Sequence, residues 1–323
     1  MFRSMLTGLR RAGTNPQMIL WLLAANFAAA LPAAVPMLLT VLATVAQRTA
    51  ARRMFADRLD YEWLIDLANG RLAGFSLAAL TDYIIVLAAL MGALYGLLNL
   101  FLSGGVLAVF AAEGGRFTPA RFWAGCGAYF GRFVTLALLA LPCYGAAVVG
   151  YFIGWNVIGI AVAKATTAGP MQIAKLALLF VFVLVCALIN AIFDYAKIAV
   201  VRHDGRALSA EVGRAAEFTL RRFGSAFGLY LTAAAIGLLG FGALAWLRGL
   251  IVQSSLPAVA AAFVVGQTAL GWRLGARAAF YAAAVDLHRR LVLAPAPAAE
   301  KLPLHETAPQ AEFPEALPEI QPN

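Results

Sequence analysis

The sequence predicts an all-α, polytopic membrane fold: six transmembrane helices arranged as three hairpins, with amphipathic helices on the cytoplasmic side. Three observations carry this expectation. Of 323 residues, 62% are apolar and 13% charged, against roughly 45–50% and about 25% in an ordinary soluble domain. The apolar residues gather into runs that meet the roughly 20 residues a helix needs to cross a hydrocarbon core. The basic residues punctuate those runs, so the net charge of +9 reads as topology and not as a nucleic-acid surface. An ordinary soluble enzyme is excluded.

The chain opens with Arg3, Arg10 and Arg11 and no acid. Residues 18–45 are then apolar, interrupted mainly by Asn26, Pro32 and Pro36. That run outlasts the roughly 7–15 residues of a signal-peptide core, which favours a retained, proline-kinked first span over a cleaved leader. Residues 48–80 turn polar, with Arg48, Arg52, Arg53, Arg58 and Arg71 balanced by Asp57, Asp60, Glu62 and Asp66. Leu59, Tyr61, Trp63, Leu64 and Leu67 within them predict a short amphipathic helix on the membrane surface or capping the bundle. The second span is expected at 83–102, continuing as a helix through Gly104 and Gly105 to Ala112.

A polar turn at 113–120 leads into a separate interfacial helix at 121–132, where Phe122, Trp123, Tyr129 and Phe130 lie between Arg121 and Arg132. Spans three to six are expected at 133–155, 172–193, 227–246 and 257–272, the last extending past Arg273 toward Ala284. These make residues 1–291 one transmembrane domain. Residues 292–323 are rich in Pro, Ala and Glu, a composition that cannot bury a core, and are expected to form a disordered cytoplasmic tail.

Six spans place both termini on one side. Fifteen Lys and Arg fall on the side of the termini and eight on the other, so the positive-inside rule puts both termini in the cytoplasm of a cell whose inner membrane holds the chain. The five arginines between residues 48 and 71 are the exception, offset by their neighbouring acids.

Two stretches about 90 residues apart look alike. Residues 97–132 contain Asn99, Gly115-Arg116 and Arg132-Phe133; residues 188–222 contain Asn190, Gly205-Arg206 and Arg222, followed by Phe223. In each, a span runs beyond the bilayer, turns, and returns through a basic amphipathic helix. The terminal stretches 6–11 and 274–290 supply two further halves, which makes three units in one orientation.

The run Asn190-Ala191-Ile192-Phe193-Asp194-Tyr195-Ala196-Lys197, the Ser103-Gly104-Gly105 step and the six-span layout resemble a set of uncharacterised bacterial integral membrane proteins. These are broadly similar to the membrane domain associated with glycerophosphoryl diester phosphodiesterases. The resemblance covers residues 15–290 and implies a six-helix inner-membrane protein. It extends to no hydrolase domain, so it does not imply diesterase activity.

Charged groups near hydrocarbon are the first functional candidates, because an unpaired charge there costs several kcal/mol. Asp194, Lys197, Arg273 and Arg277, with Asn190 one turn before Asp194, form a candidate intramembrane polar cluster; Asp286 is a further intramembrane charge. Direct pairing of Asp194 with Arg273 or Arg277 would lock spans four and six. Independent snorkelling to headgroups and a proton or substrate relay are the other readings. Arg116, Arg121, Arg132, Arg202, Arg206, Arg214, Arg221 and Arg222 are candidate contacts for anionic lipid headgroups, forming a basic collar.

No HExxH spacing, nucleophile elbow or paired carboxylates occur within the spans, and Cys126, Cys143 and Cys186 lack metal-ligand spacing. Neither catalysis nor a metal or cofactor is therefore expected. Glycine pairs four apart (Gly92 and Gly96, Gly150 and Gly154, Gly224 and Gly228, Gly271 and Gly275) predict close helix packing. Asn26, Asn99, Asn156, Asn190 and Gln267 are either polar path or interhelical hydrogen bonds. The function this supports is a non-enzymatic accessory or scaffold protein binding anionic lipid or a membrane protein partner. The alternative is a small-solute or lipid transporter with a path past Asp194 and Arg277.

Overall fold

The computed structural model describes residues 2–46, 77–112, 114–162, 169–203, 207–253 and 255–292. The expected surface helix within 48–80 lies outside these residues up to position 76, as does the tail from 293. Eight α-helices account for almost all of the described chain: α1 Phe2–Gly13, α2 Pro16–Ala46, α3 Leu77–Ala111, α4 Pro119–Val162, α5 Gly169–His203, α6 Leu208–Arg221, α7 Phe223–Gly249 and α8 Leu256–Val292.

α1 and α6 are the short amphipathic members. In α1, Ser4, Met5, Gly8 and Ala12 are buried along one stripe while Arg3 and Arg10 face outward. In α6, Glu211, Ala215 and Thr219 repeat every four residues on the buried side. That spacing sets one face of a 3.6-residue helix against protein and leaves the other polar.

Four helices, α3, α4, α5 and α7, are long and apolar enough to cross a membrane. Only 6% to 22% of the most apolar stretch of each is buried inside the protein. Leu90, Val149, Phe152, Phe180, Leu238 and Leu239 are among the large side chains left on their outer faces. Apolar surface on this scale calls for an apolar solvent.

Several boundaries differ from expectation. α3 already starts at Leu77, inside the stretch expected to be interfacial. The segment 121–132 is not a separate helix: it is the first third of α4, which continues unbroken for 44 residues through Pro142. Phe122, Cys126, Phe133 and Leu136 are all fully buried. Their spacing keeps them on one face of a single rod, so a continuous helix serves both the surface and the span. Pro32 likewise leaves α2 helical on either side.

The packed core sits at one end of the bundle. It joins Met5, Met18, Phe110, Phe122, Phe133, Tyr195, Ile198 and the run from Ala278 to Val285. Helices of 35 to 44 residues measure about 52–66 Å at 1.5 Å per residue, well beyond a hydrocarbon core of about 30 Å. The surplus length builds this cap. The C-terminal part of α3 packs on the start of α4, α5 packs on α6, and α8 packs on α1. Gly8 makes the last contact possible, since a Cβ there would overlap the Ala279 carbonyl and Ala283. Gly105 does the same between α3 and α4, against Phe122 and Cys126.

Polar ties between helices help to hold the cap. Asn15, in the α1–α2 turn, donates from Nδ2 to the Gly115 carbonyl at 3.1 Å and accepts from the Phe117 amide at 2.8 Å. Arg289 of α8 donates to the Ala111 carbonyl at 2.6 Å, satisfying a free acceptor at the end of α3. Arg202 of α5 meets His288 Nδ1 at 2.6 Å.

The glycine pairs were partial guides to packing. A Cβ on Gly92, Gly96, Gly150, Gly224 or Gly271 would meet nothing within 4 Å. Of the expected pairs Gly154 makes a close approach, against Leu178 of α5, and the others fall at Gly8, Gly104, Gly105, Gly125 and Gly240, the last beneath the Trp272 ring.

Candidate functional site

At the boundary between span and cap, three helices each bring a polar pair one turn apart. These are Asn99 and Ser103 on α3, Asn190 and Asp194 on α5, and Arg277 and Tyr281 on α8. At 1.5 Å per residue Asn99 lies about 33 Å from the Leu77 end of α3, and Asp194 about 37 Å from the Gly169 end of α5. Arg277 lies about 32 Å from the Leu256 end of α8. Their side chains meet across the three helices.

The side chains form one chain of contacts. Lys197 Nζ is 2.8 Å from Asp194 Oδ1, an ion pair one turn along α5 with both side chains under 10% exposed. The Tyr281 hydroxyl donates to the same carboxylate oxygen at 3.2 Å and accepts from Arg277 Nη2 at 3.3 Å. Arg277 Nη1 donates to Asn99 Oδ1 at 3.0 Å. Asn99 in turn spends its Nδ2 on the Tyr95 carbonyl. The relay Asn99–Arg277–Tyr281–Asp194–Lys197 thus crosses from α3 through α8 to α5.

Asp194 therefore does not pair directly with an arginine. Lys197 is nearer because it shares the helix, and Tyr281 fills the space between the carboxylate and Arg277. Arg273, one turn before Arg277, lies outside the relay and makes no hydrogen bond or ion pair among the described residues. Asn190 lines the cleft beside the same site. The sequence missed Tyr281, although it sits at i+4 from Arg277, the spacing that relates Asp194 to Asn190.

Two cavities flank Arg277. A small one, about 20 Å³, is lined by Asn26, Asn99, Ser103, Arg277 and Tyr281. Asn26 Oδ1 is buried without a partner there, while its Nδ2 donates to the Leu22 carbonyl at 2.7 Å. Leu22, Leu102, Val106, Leu274 and Ala278 make up the rest of its wall, which is mainly apolar. The other is a cleft of about 600 Å³ between α5, α7 and α8. Its polar wall is Asn190, Asp194, Tyr230, Arg273 and Arg277, and its apolar wall is Ala233, Gly237, Leu238 and Phe241 of α7 with Phe280 of α8.

The collar residues divide. Arg116, Arg121, Arg214, Arg221 and Arg222 are exposed around the cap. Arg214 pairs with the buried Glu211 at 2.7 Å and Arg221 with Glu217 at 2.9 Å. Arg132 and Arg202 are half-buried, Arg202 being the partner of His288. Arg206 lies outside the described residues. Of the remaining asparagines, Asn156 spends its amide on the Phe152 carbonyl of its own helix.

Fold and site together define a helical chain with apolar spans, a packed polar-edged cap at one end, and a cationic cleft where the two meet. Compared with known proteins, the chain matches no family model, no curated protein and no solved structure.

Proposed function

We propose that this chain is a non-enzymatic, six-span protein of the bacterial inner membrane, an accessory or scaffold that binds anionic lipid through the rim of its cytoplasmic cap. α2 and α8 supply the fifth and sixth spans. α2 is 31 residues long and uncharged, and α8 is 37 residues long with Arg273 and Arg277 where it leaves the hydrocarbon. The spans then pair as α2–α3, α4–α5 and α7–α8. Each returning helix continues into the cap and meets an amphipathic partner: α3 the start of α4, α5 the helix α6, and α8 the N-terminal α1. This is a threefold repeat whose last unit is closed by the two ends of the sequence.

The observation that carries the reading is the ring of exposed arginines on that cap: Arg3 and Arg10 on α1, Arg116 and Arg121 around α4, and Arg214, Arg221 and Arg222 by α6. Near an anionic leaflet each is worth about 1 kcal/mol, enough together to hold lipid or a membrane partner at the rim. Native mass spectrometry of the protein extracted from mixed phosphatidylglycerol and phosphatidylcholine membranes tests it. Reversing Arg116, Arg121 and Arg214 to Glu should reduce retained phosphatidylglycerol several-fold; unchanged retention rejects the collar. A reporter fused after Asp286 should read as cytoplasmic, and a periplasmic signal rejects the topology.

A second reading, a transporter of a small solute or lipid, draws on the 600 Å³ cleft beside Asp194 and Arg277. Accumulation of a solute that depends on Arg277 in reconstituted vesicles would favour it over the scaffold.

A further inference from the structure

We infer that the cleft between α5, α7 and α8 is a binding site for one anionic phospholipid of the inner leaflet, its phosphate held by Arg273 and Arg277 and its acyl chain laid against α7. The inference concerns a site apart from the collar and rests on the six-span reading in which α8 crosses the membrane.

Charge is the first argument. Arg273, Arg277 and Lys197 bring three positive charges to the site, and Asp194 is the one acid of the relay and the cleft wall. Asp194 is already engaged by Lys197 and Tyr281. Arg277 is satisfied on one side by Asn99 and Tyr281, both neutral, and Arg273 has no partner among the described residues. Two guanidinium groups with no carboxylate in direct contact, at the edge of hydrocarbon, are stabilised by an anion placed between them. The planar guanidinium fork matches phosphate oxygens two at a time, which is why arginine and not lysine suits this role.

Depth is the second argument. Arg273 and Arg277 lie about 25 and about 32 Å from the far end of α8, which puts them at the inner edge of a hydrocarbon core about 30 Å thick. That is the level of phospholipid phosphates, not of a solute in bulk water. The third argument is the opposite wall. Gly237 lies against Ala276 and Gly240 against Trp272, so Arg273 and Arg277 stand level with an α7 wall of Ala233, Ala234, Gly237, Leu238 and Phe241. Leu238 is 70% exposed. An apolar wall beside two cations fits a headgroup with its chain, and a free phosphate would leave that wall empty. The volume, about 600 Å³, falls within the roughly 300–1,000 Å³ of small-molecule sites.

The test uses the full chain in phosphatidylcholine nanodiscs containing phosphatidylglycerol with a diazirine in its acyl chain. After illumination the labelled residues are mapped by mass spectrometry. Labelling should concentrate on residues 233–241 of α7, and the same probe on phosphatidylcholine should label them about tenfold less, the step that a charge-assisted hydrogen bond of about 1.4 kcal/mol supplies. Arg273→Ala should cut phosphatidylglycerol labelling to the phosphatidylcholine level. Arg273→Lys should restore part of it. Ala234→Trp, which fills the cleft and leaves every charge in place, should abolish it. Equal labelling by both lipids, or unchanged labelling in Arg273→Ala, overturns the site. Displacement of the probe by millimolar inorganic phosphate overturns the lipid in favour of a free anion. Labelling of α1, α4 or α6 peptides reports on the collar separately.

Discussion

Removing the carboxylate of Asp194 is the sharpest perturbation of the relay, because it withdraws the single negative charge and leaves its neighbours in place. In Asp194→Asn the amide oxygen still accepts from Tyr281, so the shape and one hydrogen bond survive. What is lost is the partner of Lys197, whose side chain is 9% exposed and 2.8 Å from Asp194. Breaking a buried ion pair from one side costs about 3–5 kcal/mol, since the other charge stays buried and uncompensated. The retained amide contact offsets about 1 kcal/mol of this, which leaves a loss of about 3 kcal/mol. At about 1.5 °C per kcal/mol for a chain of 323 residues, Tm should fall by about 4–5 °C.

The opposite single change should be milder. In Lys197→Met the carboxylate keeps the Tyr281 hydroxyl and has Arg277 one residue beyond it. The double variant Asp194→Leu with Lys197→Met removes both charges and should lie closer to the parent than Asp194→Asn does. Thermal unfolding in detergent, followed by the loss of the monodisperse chromatographic peak, measures all three. If Asp194→Asn melts within a degree of the parent, the pair is solvated and the relay does not hold the helices. If Lys197→Met is the more damaging single change, the direction of dependence argued here is reversed.

Two further perturbations probe the cap. Gly8→Val introduces atoms where the Ala279 backbone and Ala283 already lie; overpacking of this kind costs about 1–3 kcal/mol. It should release α1, so that a cysteine placed at Ser4, 2% exposed in the parent, becomes reactive to a water-soluble maleimide; continued protection would show that α1 docks elsewhere. Asn15→Ala removes both bonds between the α1–α2 and α3–α4 turns and leaves the Phe117 amide and Gly115 carbonyl to find other partners. A loss of about 1–3 kcal/mol is expected, read as a lower Tm, and no change would mean that water replaces Asn15 without penalty.

Much of the architecture was legible because the signals were local. Long apolar runs marked the helices, and the extension of the last one past Arg273 followed from its composition. The errors fell where a local rule met a tertiary contact. Arg121 and the aromatic residues after it carry the marks of a surface helix, yet Phe122 and Cys126 share their buried face with Phe133 and Leu136, so one rod runs through. Glycine spacing pointed to a close approach at Gly154 but misled at Gly92, Gly96, Gly150, Gly224 and Gly271, for the same reason: a small residue permits close approach, but whether another helix comes is decided elsewhere in the chain. In the site, the charged residues announced themselves by being expensive in hydrocarbon, while Tyr281 and Ser103 did not, because a neutral hydroxyl in a helix is cheap.

The sequence by itself determined that the chain is helical, that several of its helices are apolar enough for a bilayer, and that charge gathers at one level of them. Composition and periodicity suffice for that, since each depends on residues within a few turns of one another. Only the tertiary structure decided that α1 closes on α8, that Asp194 takes Lys197 and Tyr281 as partners, and that Arg273 is left facing a cleft. Those outcomes depend on distances between residues tens to hundreds of positions apart, and a hydrogen bond or ion pair of about 3 Å reach is settled by how whole helices pack, not by the order of residues along any one of them.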